Sequence, residues 1–345
     1  MLGQSQEKKD VWVGVDVCKG TFDAAVLLEK EGLELRQIPV KNFSRTKQGT
    51  QEFFEWMVGL IQEDADSHVV MESTGKYSIE LAAWIIEICP NIKVSIINPA
   101  QAKAFIKSLG LRNKTDKIDA RALAVYARER NPREYEPLPP ALAELQSLSR
   151  ERDALLQILV AEKLRAKEQS ASKVVSMVQK SVIRNLEKQI KKIEEAMENI
   201  VMQNEKLHDD VQILRTTPGV GKITAMVVLA ELGDLRRFTR SRQLSAFAGL
   251  SPRLISSGVS VKRQTRLCKQ GNKRIRSALY MSALSIINKN NHFNEWYKSL
   301  VDRGKNKRLA MGAVMRKMLV TMRAILISGQ PFSNTYQHVK HNTCG

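Results

Sequence analysis

The stretch Val11-Trp-Val-Gly-Val-Asp-Val17, followed by Cys18-Lys-Gly20 and Thr21-Phe-Asp-Ala-Ala-Val-Leu-Leu28, decides the fold. Both runs are rich in β-branched and apolar residues, and the Lys19-Gly20 turn between them predicts a β-hairpin. Working outward, a third strand is expected near Leu35–Val40. Gln51 to Ile61 then places Phe53, Phe54, Met57, Leu60 and Ile61 at helical spacing. Ser67–Met71 reads as a strand, Ile79–Ile88 as a helix and Lys93–Asn98 as a strand, and a helical region continues through Arg130.

The predicted order is βββαβαβα. Three strands followed by βα units is the layout of an α/β domain of ribonuclease-H-like (RuvC-like) type, a mixed sheet with helices on its faces. The proline-rich run Asn131-Pro-Arg-Glu-Tyr-Glu-Pro-Leu-Pro-Pro140 ends the pattern. From Ala141 to His208 there is neither Pro nor Gly, and Ile183, Leu186, Ile190, Ile193, Met197 and Ile200 step by alternating threes and fours. That is the seam of a coiled coil, formed between two chains or within a helical hairpin broken near Gln169–Ser176. From Arg215 the chain is mainly helical, with loops at Thr217–Gly221 and Gly249–Gly271. Three segments follow: a catalytic α/β domain over 1–140, a helical linker or oligomerisation segment over 141–210, and a mainly α, basic domain over 211–345.

The formal charge of +19 points to a polyanionic partner. Its distribution is more telling. Residues 1–140 hold 19 Lys/Arg and 20 Asp/Glu, residues 141–210 hold 12 of each, and residues 211–345 hold 24 against 4. A near-neutral front is thus joined to a basic last third able to hold phosphates. No apolar run approaches the roughly 20 residues of a membrane span, and Met1–Asp10 lacks the apolar stretch of a signal peptide, so a soluble protein that stays in the cytoplasm is expected. Cys18, Cys89, Cys268 and Cys344 form no C-x-x-C pair, and the tail with His338 and His341 is read as polar chain rather than a zinc site.

Asp16 falls at the end of the first strand and Glu72 at the end of the apolar run Val69-Val-Met71. Asp116 and Asp119, three apart at a helix start, face the same way. Four carboxylates meeting at one sheet end suit a pair of Mg²⁺ ions about 3.5–4 Å apart, with Mn²⁺ able to substitute, as in phosphodiester chemistry. Each also has an ordinary reading as a turn or helix cap.

In the basic third, Thr216-Thr-Pro-Gly-Val-Gly-Lys-Ile-Thr224 is not a P-loop. Thr216 stands where the first Gly belongs, and Ile223 where a hydroxyl should follow the Lys. It reads as a turn between two helices whose amides at Gly219 and Gly221, with Lys222, can hold a DNA phosphate without reading sequence. The loop that follows contains Arg253, Ser256, Ser257, Lys262, Arg263, Arg266 and Lys269, and the next helix Lys273, Arg274 and Arg276, all consistent with a phosphate-lined groove. Ser256 and Ser257 can act as nucleophiles if activated, although a loop serine is usually a turn residue.

Together Gly14-Val-Asp16-Val-x-Lys19, Met71-Glu72-Ser-Thr-Gly75, Ile97-Asn-Pro99, Arg112-Asn-Lys-Thr-Asp116-x-x-Asp119-Ala-Arg121, Pro218-Gly-x-Gly221, Phe247-Ala-Gly-Leu-x-Pro252-Arg and Ser257-Gly258 resemble the insertion-sequence transposases with an Asp-Glu-Asp-Asp motif. This is the IS one-ten family, with its pilin-inversion and bridge-RNA-guided recombinases. The resemblance covers residues 11 to 330. It implies a metal-binding tetrad of Asp16, Glu72, Asp116 and Asp119 and a nucleophile at Ser257. It also implies a homo-oligomer, dimer or tetramer, acting on double-stranded donor and target DNA, and a noncoding bridge RNA that pairs with both. The competing readings are a RuvC-like Holliday-junction resolvase using water, an actin-like sugar kinase sharing the first-strand Gly-x-Asp, and a noncatalytic DNA-binding protein. The kinase leaves the basic third without purpose, and the binding protein leaves the tetrad without one.

Overall fold

The structure is a computed structural model that describes residues 9–28, 34–61, 65–111, 115–168, 172–253, 256–257, 261–262 and 266–333. Arg263, the Arg112–Lys114 part of the tetrad motif, Gly258, and His338, His341 and Cys344 lie outside the described residues. The chain divides into two compact units, Met1–Pro137 and Leu138–Gly345.

The first unit runs β1 (Lys9–Val17), β2 (Thr21–Leu28), a 3-10 turn (Leu35–Gln37), β3 (Val40–Ser44), α1 (Lys47–Leu60), β4 (Ala65–Glu72), α2 (Lys76–Ile88), β5 (Lys93–Ile97), α3 (Pro99–Ser108) and α4 (Asp116–Arg130). The five-stranded sheet has the order β3-β2-β1-β4-β5. The first three strands pair antiparallel, and β1, β4 and β5 pair parallel. The period of two sorts β1 cleanly. Val11, Val13, Val15 and Val17 pack with Phe22, Phe53, Leu81 and Ile85, on the side of α1 and α2. Burying each of the two phenylalanines contributes about 1.5–3 kcal/mol. Trp12 and Gly14 turn to the other side, where Ala120, Leu123, Ala124 and Ala127 of α4 cover the sheet.

The third strand is displaced from its expected position. Leu35–Gln37 is a 3-10 turn, and pairing with β2 begins only at Val40. Pro39 accounts for this: it has no N–H for the ladder, and only its carbonyl is used, accepting from Val26 N at 3.1 Å.

The second unit contains α5 (Pro140–Arg165), α6 (Lys173–Met202), α7 (Glu205–Arg215), α8 (Lys222–Leu232), a 3-10 turn (Leu235–Arg237) and α9 (Ser241–Phe247). Four two-residue strands follow, β6 (Pro252–Arg253), β7 (Ser256–Ser257), β8 (Val261–Lys262) and β9 (Arg266–Leu267), then α10 (Lys273–Ile286), α11 (His292–Asp302) and α12 (Lys307–Ser328). All of α8 from Ala225 to Leu232 is buried, which makes it the central helix of the unit. Helices α5 and α6 form an antiparallel hairpin tied by ion pairs Arg152–Glu194 and Lys163–Glu187, each 2.6 Å. Near its open end Leu145, Met197 and Val201 enter the same core as α8, α10 and α12. Toward its tip Ile158, Val160, Leu164, Val174 and Val178 stay exposed. Among the described residues no helix is long and apolar enough to cross a membrane, and Cys18, Cys89 and Cys268 are free thiols.

Candidate active site and nucleic-acid surface

Neighbouring strands β1 and β4 run parallel, with Val15 opposite Met71. Asp16 and Glu72 are the next residues on each, so both carboxylates emerge at the same sheet end, on the face that carries Gly14 and Val70. Across that face lies α4. A Cβ on Gly14 would collide with the Ala120 carbonyl and the Ala124 nitrogen, so this glycine sets how closely the helix rides on the strand. The N-terminal turn of α4 is fixed by Thr115, whose hydroxyl accepts from Ile118 N at 3.3 Å, and it holds Asp116 and Asp119.

The electrostatics record this convergence. The Asp16 carboxyl is pushed up to about 6, first by burial and then by the charges of Asp116, Asp119, Glu72 and Asp23. Among the described residues, the charged neighbours acting on it are carboxylates. The Cys18 thiol, 3.9 Å from Asp116 Oδ2, is raised by burial and then by the charges of Asp16, Asp116 and Asp23.

Asp23 is the member that sequence reading missed. It is the antiparallel cross-strand partner of Asp16 and is buried; its Oδ2 accepts from Asn42 Nδ2 at 3.1 Å, while Oδ1 is buried with no hydrogen-bond partner among the described residues. Its signal lay in the hairpin register, since with the turn at Lys19-Gly20 position 23 falls opposite position 16. Among the described residues no three His, Cys, Asp or Glu side chains are already gathered as a metal site. Even so, the donor set fits a hard divalent cation. It consists of carboxylate oxygens whose charges raise the proton affinity of Asp16, beside a buried Asp23 oxygen with no donor among the described residues.

In the second unit the predicted phosphate-binding residues divide into two groups. The turn between α7 and α8 backs onto α10: a Cβ on Gly219 (φ +79°) would meet Ile286 Cγ2 at 2.5 Å and the Ser282 carbonyl at 2.7 Å. Gly221 is the N-cap of α8, with open space beside its Cα. Lys222 is ion-paired with Glu198 at 2.8 Å. Arg274 lies between Asp153 (3.7 Å) and Glu231 (4.0 Å). Arg276 donates through Nη1 to the carbonyls of Ala248 (3.1 Å) and Gly271 (2.9 Å), and burial lowers its pKa. These three cations are partly engaged within the fold. Lys269 and Lys273 are exposed.

The backbone places Ser256 and Ser257 on β7, Ser256 opposite Lys262 and Ser257 opposite Val261 of β8. Arg253 and Arg266 face each other as backbone partners on β6 and β9. Lys307 and Arg308, at the start of α12, border a cavity together with Lys269, Lys273 and Arg276. They were not singled out from sequence, although Lys305-Asn-Lys307-Arg308 is a visible basic run.

Comparison with known proteins assigns both units. Residues 211–298 match a family described as "Transposase IS116/IS110/IS902 family", and residues 13–169 match a second, described as "Transposase", that carries the DEDD and IS110 labels. The chain is 31% identical over 322 residues to the pilin gene-inverting protein of Moraxella bovis, covering 93% of this chain and 97% of that protein. It is 30% identical over 248 residues to the transposase for insertion sequence element IS1111A of Coxiella burnetii, covering 63% of this chain and 67% of the other. With Asp16, Glu72, Asp116 and Asp119 inside one of these matches, part of the basic helical unit inside the other, and a relative 31% identical over 93% of the chain, the chain belongs to the IS116/IS110/IS902 family of transposases.

Proposed function

We propose that this transposase cuts and rejoins double-stranded donor and target DNA by transesterification, with Asp16, Glu72, Asp116 and Asp119 holding Mg²⁺ and Ser257 as nucleophile. The observation that carries the reading is the meeting of four acids at one sheet end, where Asp16 feels the charges of the other three. The strand order β3-β2-β1-β4-β5 supports a ribonuclease-H-like fold for this unit. When bound, the ion polarises the scissile phosphate and offsets the charge that develops on it. Ser257 Oγ attacks phosphorus: the Oγ–P bond forms, a deoxyribose O–P bond breaks, and the hydroxyl proton ends on the departing deoxyribose oxygen. One phosphodiester replaces another, so rejoining is the reverse attack by a DNA hydroxyl and requires no high-energy cofactor.

The basic second unit holds DNA through phosphates, with exposed Lys269 and Lys273 and, on the adjoining strands, Arg253, Lys262 and Arg266. The exposed apolar tip of the α5–α6 hairpin supports self-association into a dimer or tetramer. A noncoding bridge RNA guiding the reaction rests on the family resemblance of the motifs, and a place at the bacterial nucleoid follows from the DNA substrate.

A cleavage assay resolved on a denaturing gel tests the chemistry. Protein-linked DNA is expected from the native chain with Mg²⁺ and none from Ser257→Ala. Free nicked ends without any adduct would assign the attack to water and make the protein a resolvase-like nuclease. An adduct that survives Ser257→Ala would move the nucleophile, with Ser256 the first alternative.

A further inference from the structure

Within the second unit a cavity of about 530 Å³ opens between α10, α11, α12 and β9. Its size lies in the range of small-ligand pockets, about 300–1,000 Å³. The floor is apolar, formed by Leu267, Met311 and Met315. Gly312 lies directly against that floor: a Cβ there would meet Leu267 Cδ1 at 2.8 Å, so the leucine side chain would have to turn to make room. Two aromatic rings line the walls, Tyr297 half-buried and Tyr280 47% exposed. Around them stand Lys269, Lys273, Arg276, Lys307 and Arg308, with no carboxylate in the lining among the described residues. Lys269 is held at φ +57°, a left-handed conformation that a lysine adopts only when its surroundings impose it. Its amide is anchored to the Gly249 carbonyl at 3.2 Å.

This composition selects its occupant. A phosphate groove along a duplex has no use for an apolar, tyrosine-walled recess, and a neutral apolar ligand has no use for five cations. A nucleotide matches both, since its base has a flat, weakly polar face and its flanking phosphates are anionic. A base stacked inside a duplex cannot enter a concave pocket and must first leave the stack. We infer that this cavity receives one unstacked, unpaired base of a DNA strand, with Tyr280 stacking on it and the rim cations holding its neighbouring phosphates. DNA is the strand favoured, because it is the substrate of the family to which the chain belongs and of the reaction proposed above. The inference rests on the phosphate-binding role proposed above for this unit and adds base recognition to it.

Equilibrium binding of the full chain, in EDTA so that no strand is cut, tests this with three otherwise identical DNA duplexes: fully paired, with a one-nucleotide adenine bulge, and with an abasic residue in that bulge. The adenine bulge is expected to bind at least about fivefold more tightly than the abasic one, the lower end of what one stacked base contributes. Tyr280→Ala, at an exposed helix position, should abolish that ratio, and Tyr280→Phe should keep it. Lys273→Ala should weaken all three probes alike. Equal affinity for the adenine and abasic bulges, or a ratio that persists in Tyr280→Ala, overturns the pocket while leaving phosphate binding standing. A base-dependent ratio seen only with the corresponding RNA bulge overturns its assignment to DNA. Failure to bind any probe overturns the phosphate-binding reading and the pocket with it.

Discussion

The two units treat buried charge in opposite ways. In the helical unit buried acids have cations against them. Asp210 receives Arg236 through both terminal nitrogens, at 2.9 and 2.5 Å, and Glu231 is met by Arg150 and by Asn272 Nδ2. The hydrogen bond to Asp210 is the main reason that the Arg236 pKa lies well above its ordinary value. In the sheet unit Asp16 is surrounded by further acids, and buried Asp23 has one oxygen with no hydrogen-bond partner among the described residues. An acid with a guanidinium against it is part of the scaffold, because pairing offsets its desolvation. An acid left among acids costs stability and persists only if something else requires it.

That contrast breaks most visibly in cleavage. Asp16→Asn should lower Mg²⁺-dependent strand cleavage about 10³-fold, the equivalent of several kcal/mol of charge stabilisation, with DNA affinity nearly unchanged in a gel-shift assay. Asp210→Ala should do the reverse. Removing one partner of a buried pair costs about 3 kcal/mol in urea unfolding, while the cleavage rate per folded molecule stays near that of the native chain.

The metal-free protein offers a finer test through pH. Burial and neighbouring acids raise the folded Asp16 carboxyl from 3.8 to about 6, so the native state holds this proton more tightly than the unfolded chain. Stability contributed by the protonated form is therefore full below about pH 4, falls as pH rises toward 6, and stays lost above it. In EDTA, Asp16→Asn should raise stability at pH 7.5 by about 1–2 kcal/mol after allowance for solvent, and change little at pH 4. Equal effects at both pH values would remove the repulsion from the account.

The smallest expected effect separates free from engaged cations. The log–log salt dependence of DNA binding should lose about 0.9 from its slope for each phosphate contact removed, so Lys269→Ala and Lys273→Ala should each flatten it. Lys222→Ala and Arg274→Ala should leave it unchanged, because Glu198, Asp153 and Glu231 already face those side chains. A flattened slope in the second pair would show that those ion pairs open to receive DNA.

Much of the sheet unit was legible because its signals are local. The Val11–Val17 alternation, the Lys19-Gly20 turn and the three-residue spacing of Asp116 and Asp119 each dictate a geometry by themselves. The third strand was misplaced because Pro39, inside the expected run, takes no part as a ladder donor. Asp23 escaped notice because its importance depends on a cross-strand register, and the cavity of α10–α12 because it joins residues from Leu267 to Met315 that no local spacing connects. Heptad spacing in α6 was readable, but spacing alone does not distinguish a partner within the chain from one in another chain. The hairpin with α5 supplies the first.

Gly14 carries a consequence for how copies of such a gene decay. An alanine there keeps every acid, every cation and the serine, so an inventory of reactive groups would pass the chain as intact. Yet the added methyl has nowhere to go except into the backbone of α4, and the helix that carries two of the four acids must lift from the strand that carries a third. Among diverged copies of this sequence, a changed residue at position 14 is then as sure a mark of a dead element as a lost aspartate, and one that leaves no trace in its chemistry.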